Sequence, residues 1–192
     1  GTTAWPGGQP LSPARPWYTA MAIVAIRRNV PWAASEVLRY TPPSYPDYGQ
    51  IALEAVRADS RAFYSVWGTS PNYATLAQAA CEADPAILRH VLGVNPNVYY
   101  AAARAAVTRN AEALRFVEGT LFASAMSGEP VGANGPLPQL RALSPANYIE
   151  LAIIAVAQDP DMIQWVHPGW PEYERVATRA RRALNVRKRM KV

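Results

Sequence analysis

The sequence predicts an all-α chain of tandem ~25-residue helix pairs that form a small α-solenoid. Three observations predict it. Tyrosines recur along the chain with alanines at fixed helical offsets behind them. An Asn or Asp recurs eleven residues after each tyrosine in the five best copies. Prolines stand two or three residues before the tyrosines.

The first helix of each unit follows from taking Tyr18, Tyr48, Tyr73, Tyr99 and Tyr148 as position zero. Three residues on stand Met21, Ile51, Leu76, Ala102 and Leu151. Four on, all five are alanine (Ala22, Ala52, Ala77, Ala103, Ala152), and seven on all are alanine again (Ala25, Ala55, Ala80, Ala106, Ala155). Eight on come Ile26, Val56, Cys81, Val107 and Val156. Offsets of 0, 3, 4, 7 and 8 mark one face of an α-helix and no face of a strand. The small alanines let neighbouring helices approach closely.

The second helix starts at offset eleven, on Asn29, Asp59, Asp84, Asn110 or Asp159. A short side-chain oxygen there accepts from the exposed amides of the next turn, which makes these residues N-caps. Pro85 and Pro160 follow two of them, at the first helical position, where a missing N–H costs nothing. Apolar pairs come next (Ala62-Phe63, Ile87-Leu88, Ala113-Leu114, Met162-Ile163), and Val66, Val91, Val117 or Val166 closes the unit. The first copy slips by one residue after Pro31, with Val37 in the closing place. Ser70, Asn95 and Ser144, each followed by proline, are expected to cap the first helices.

Tyrosine spacings of 30, 25, 26, 49 and 25 residues, counting Tyr173, set the boundaries. Residues 1–16 form an extended Pro/Gly arm, residues 17–172 the helical-repeat domain, and residues 173–192 a basic C-terminal helix or tail. The long interval implies a loop insertion at about 127–143, marked by "SGEPVGANGP". Units too small to bury their own faces must share a continuous core.

Charged residues make up 17% of the 192, against roughly 25% in an ordinary domain, which points to a surface partly covered by partners. The net charge of +5 is unevenly placed. Eight cations stand from Arg175 onward with no acid among them, leaving 11 basic against 14 acidic residues before them. Such asymmetry marks a tail with its own partner. The one cysteine, Cys81, excludes an internal disulfide and any cysteine-rich zinc site. "LAIIAVA" and "AMAIVAI" are too short to span a bilayer. Without an initiator Met, the chain fits an organellar protein (plastid or mitochondrial) after presequence removal, and next a virion or cytosolic component.

The words "ALEAVRADSRAFYSV", "AARAAVTRNAEALRFV" and "AIIAVAQDPDMIQWV" resemble a family of short helical repeats with an A-V-x-x-[N/D]-x-x-A-L core. That family is known only as a domain of unknown function, common in algae, other protists and giant viruses. The resemblance covers roughly Trp17 to Trp170, excluding Ser127–Leu143. It implies helices and binding surfaces, and it carries no catalytic residues. This chain departs from it in the proline and tyrosine that open each unit and in the basic tail.

Nothing in the repeat reads as catalytic, metal-binding or cofactor-binding. Cys81 takes the offset where other copies have Ile or Val, so it reads as a buried apolar residue. His90 and His167 lack metal-ligand spacing, and Asp59, Asp84 and Asp159 are explained as caps. The expected contacts lie at the termini: Trp5 in the arm, and Arg175, Arg179, Arg182, Arg187, Lys188, Arg189 and Lys191 in the tail, with Trp67 and Trp170 as exposed aromatic anchors. The sequence is expected to serve as a non-enzymatic accessory or scaffold subunit of a large assembly, binding other protein subunits. The alternative is an RNA- or ribosome-associated repeat protein whose tail neutralises phosphates.

Overall fold

A computed structural model describes residues 17–28, 32–91, 95–118 and 143–190, and every element among them is helical. The arm at 1–16, most of the insertion at 127–143, Asn29 and Lys191 lie outside the described residues. The chain divides into two compact units, Gly1–Leu76 and Ala77–Val192, with the boundary inside helix α4 (Tyr73–Ala83).

In the first unit, α1 (Tyr18–Arg27) packs against α2 (Ala33–Tyr40) and α3 (Tyr48–Ala58), and the 3-10 helix η1 (Ser60–Ser65) closes on α2 and α3. The period-3.6 pattern of the sequence is what is buried. Ala22, Ile26, Ile51, Ala52, Ala55 and Val56 are sealed together with Leu38 of α2 and Ala62 and Phe63 of η1. Each large apolar side chain so buried contributes about 1.5 to 3 kcal/mol.

The second unit repeats the plan. After the end of α4 come η2 (Pro85–Ile87), α5 (Leu88–Val91), α6 (Pro96–Arg109), η3 (Ala111–Phe116), α7 (Pro145–Gln158), η4 (Pro160–Trp165) and α8 (Tyr173–Arg189). α7 packs against α6, η3, η4 and α8. Leu151, Ala152, Ala155 and Val156 of α7 are fully buried, as are Ala102, Ala103 and Val107 of α6.

The expected caps form. Asp59, Asp84, Asn110 and Asp159 each accept from the amide two residues on, at 2.9, 3.0, 3.0 and 3.3 Å. Beyond three of these caps the chain makes a six-residue 3-10 turn, in η1, η3 and η4, because so short a segment has few residues over which to settle into the α ladder. The tyrosine at the unit's start has a task beyond packing. Tyr48 Oη accepts from the Trp67 amide at 3.1 Å and Tyr99 Oη from the Glu118 amide at 2.7 Å, both nineteen residues on. Tyr148 Oη donates to the Trp165 carbonyl at 3.5 Å. The phenol thereby ties the start of one helix to the end of its partner.

Three expectations need correction. Ser70-Pro71 does not place proline at the first helical position, because α4 begins at Tyr73; only in α6 and α7 does proline open the helix. In the first copy of the repeat the closing residue is Thr41 rather than Val37, because α2 is a full α-helix and carries the chain further. The Thr41 hydroxyl donates to the Val37 carbonyl at 2.6 Å and accepts from Tyr18 Oη at 2.7 Å. Met21, expected on the buried face, is 47% exposed.

Candidate functional site

α8 builds the most distinctive surface of the second unit. Val176, Ala177 and Ala180 are buried, and Ala183 is half-buried, so the apolar row faces inward as its spacing requires. Glu172, just before the helix, holds a left-handed backbone (φ 64°). That geometry is uncommon for a residue with a Cβ. Its carboxylate pairs with Arg175 at 2.7 Å.

The tail cations separate into two classes. Arg175, Arg181 and Arg187 pair with Glu172, Glu174 and Asp159 at 2.7, 3.0 and 3.7 Å. Among the described residues no ion pair engages Arg179, Arg182, Lys188 or Arg189, and all four are exposed. Arg179, Arg182 and Arg187 border a cavity of about 410 Å³ between α8 and the α7–η4 corner, with Val186 and Met190 on its rim. Arg179 and Arg182 present two guanidiniums there, donors suited to carboxylate or phosphate, while Arg187 is paired with Asp159. Trp5 and Lys191 lie outside the described residues.

The aromatic anchors divide. Trp67 is 48% exposed, whereas Trp170 is only 7% exposed and lies against Tyr148, ring centroids 5.2 Å apart. Trp170 is therefore a core residue, not an anchor. Four exposed aromatics that the sequence did not single out as anchors join Trp67 in the first unit: Trp17, Trp32, Tyr40 and Tyr64. Tyr64, Ser65 and Trp67 face Ser35, Glu36 and Arg39 of α2 across a cavity of about 330 Å³. No offset pattern signals this groove, because its two walls come from different elements and its residues do not recur between units.

The groups that resemble chemistry are absorbed by structure. Cys81 is fully buried, and burial, with Asp84 nearby, pushes its thiol up from an ordinary 9.0 to about 12. It is a thiol rather than a thiolate at neutral pH, hence a poor nucleophile. Burial likewise raises Tyr48 and, more strongly, Tyr99. His167 is buried with Nδ1 accepting from the Gly169 amide at 3.0 Å, which holds the turn before α8. His90 Nε2 accepts from Arg89 Nε at 3.0 Å at the surface. Among the described residues no three His, Cys, Asp or Glu side chains converge to hold a metal, and no helix is long and apolar enough to cross a membrane.

Comparison with protein-family models, curated proteins and solved structures finds no match to this chain.

Proposed function

We propose that this chain is a non-enzymatic accessory or scaffold subunit of a large macromolecular assembly: a small α-solenoid that binds protein partners through its repeat surface and its termini. The observation that carries the reading is the division of labour among polar groups. The Asp, Asn and Tyr groups that recur from unit to unit are spent on caps and clamps. The charge that does not recur, on Arg179, Arg182, Lys188 and Arg189, faces outward. Recognition then resides in what is particular to each unit, as expected where stacked units share one core. The resemblance of the repeat words to the short helical-repeat family supports the same reading.

The outward cations also support a second reading, in which α8 neutralises the phosphates of RNA. One experiment separates the two. In size-exclusion of a gentle extract from the source cells, the chain is expected to elute with a high-mass fraction that survives nuclease. Arg179→Glu together with Arg182→Glu is expected to release it. Elution as a free monomer overturns both readings, and a complex dissolved by ribonuclease selects the second.

A further inference from the structure

α8 has 17 residues against 14 in α7, and its C-terminal end is uncovered. Val176, Ala177 and Ala180 are buried where α8 packs on α7 and η4. Beyond Ala183 the burial stops, with Val186 55% exposed and Met190 77% exposed. The helical geometry continues to that point, since the Met190 amide donates to the Val186 carbonyl at 3.1 Å. Two large apolar side chains one turn apart therefore stand open on a helix whose other exposed residues are mostly cations.

Arg179, Arg182, Ala183, Val186 and Met190 follow the i, i+3, i+4, i+7, i+11 pattern of a single helix face. Together they form one wall of the cavity beside α8, and Ala157 and Pro160 stand on the other. That second wall is held in place. Gln158, the last residue of α7, donates from Nε2 to the Val107 and Thr108 carbonyls at 2.9 and 3.2 Å. Asp159, next along, pairs with Arg187 of α8 at 3.7 Å.

The groove is graded along its length. One end carries Arg179 and Arg182, which no carboxylate engages among the described residues, and no acid lines the groove. The other end is Val186 and Met190. A helix laid along α8 meets both ends at once, the mode in which an amphipathic helix fills a groove. Two carboxylates one turn apart on it reach the two guanidiniums, which bind carboxylate through paired N–H donors. Apolar side chains further along the same face cover Val186 and Met190. From Arg179 to Met190 the row runs roughly 17 Å at 1.5 Å per residue, so the occupant needs about three turns. RNA fits this surface less well. No aromatic side chain lines the groove to stack a base, and phosphates have no use for its apolar half.

We propose that the α8 groove is the docking site for an acidic amphipathic helix of a partner protein, its carboxylates on Arg179 and Arg182 and its apolar face on Ala183, Val186 and Met190. The proposal rests on the reading of this chain as a protein-binding subunit and names the chemistry of one partner.

The probe is a labelled synthetic peptide of about sixteen residues, long enough to form a helix, with two glutamates one turn apart at one end and leucines on the same face at the other. Fluorescence anisotropy is expected to show saturable binding to the full chain, and none for a scrambled peptide of the same composition. Arg179→Glu together with Arg182→Glu, and separately Met190→Ser, should each weaken binding by about tenfold or more. Circular dichroism should stay unchanged, because all three residues are exposed. Absence of binding, or equal binding of the scrambled peptide, overturns the proposal. Met190→Ser binding as tightly as the native chain overturns it too, since the surface is then a charge patch alone. So does tighter binding of a single-stranded RNA of matching length. Failure of the subunit reading looks different. A high-mass fraction in the source-cell extract that these variants do not leave overturns the docking site and keeps that reading. Elution of the native chain as a free monomer overturns that reading, whatever the peptide does.

Discussion

In α1 the residue six positions after the tyrosine is Val24; in α8 it is Arg179. Three positions after, α1 has the exposed Met21 and α8 the fully buried Val176. Both helices stand at an end of the repeat series and share its register, yet one presents Trp17, Met21 and Val24 outward and the other a row of arginines. Among the described residues, then, α1 presents apolar side chains outward and α8 presents positive charge.

The sharpest way to break that comparison is at offset three. Leu151→Ala removes a fully buried side chain and is expected to cost about 2 to 5 kcal/mol in denaturant unfolding. Met21→Ala, at the same offset, should change stability by less than about 0.5 kcal/mol. Comparable losses at both sites would mean that Met21 is covered in solution.

Alkaline pH probes the interior specifically. The Cys81 pKa is raised in the fold, so its contribution is fully present below its ordinary 9.0 and is lost as pH rises toward about 12. Over that window the loss amounts to at most about 4 kcal/mol. Buried Tyr48 and Tyr99, also raised, add to the slope. Cys81→Ala is expected to flatten the decline of stability above pH 9 without abolishing it. In the native chain the thiol should resist a disulfide reagent at neutral pH and react once unfolded. Fast native labelling would show that α4 opens.

The tyrosine clamps come next. Tyr99→Phe strips the acceptor from the Glu118 amide and should cost about 1 to 3 kcal/mol. Tyr18→Phe should cost less, because Thr41 keeps its bond to the Val37 carbonyl. Equal costs would mean that the first copy of the repeat closes like the later ones.

How much of this was legible depends on the physics of each signal. The α-helical face at offsets 0, 4 and 8 was readable because burial selects apolar side chains at helical spacing. The caps at Asp59, Asp84, Asn110 and Asp159 were readable because an Asx oxygen bonds an amide two residues away, a purely local event. The clamp was not, since its donor is a backbone amide that any residue supplies; Trp67 and Glu118 share nothing else. Trp170 was misread as exposed because proline and glycine around it signal a turn, and only packing on Tyr148 shows which way the indole faces. The basic helix was legible, but its division into paired and outward arginines depends on Asp159, which precedes Arg187 by nearly thirty residues.

The smallest expected effect on stability is the one that best isolates α8. Arg179→Ala and Arg182→Ala remove exposed guanidiniums that no carboxylate engages among the described residues. Surface substitutions of this kind change unfolding free energy by less than about 0.5 kcal/mol. Arg187→Ala gives up a pair with Asp159 at 3.7 Å, itself worth at most about 1 kcal/mol at the surface. If the end of the chain is a binding surface, loss of Arg179 and Arg182 should abolish retention on a polyanion column at a salt concentration where the Arg187 variant is still held, with all three melting together. A melting temperature that falls for Arg179→Ala or Arg182→Ala would make these residues structural, and the contrast between α1 and α8 would then concern folding rather than recognition.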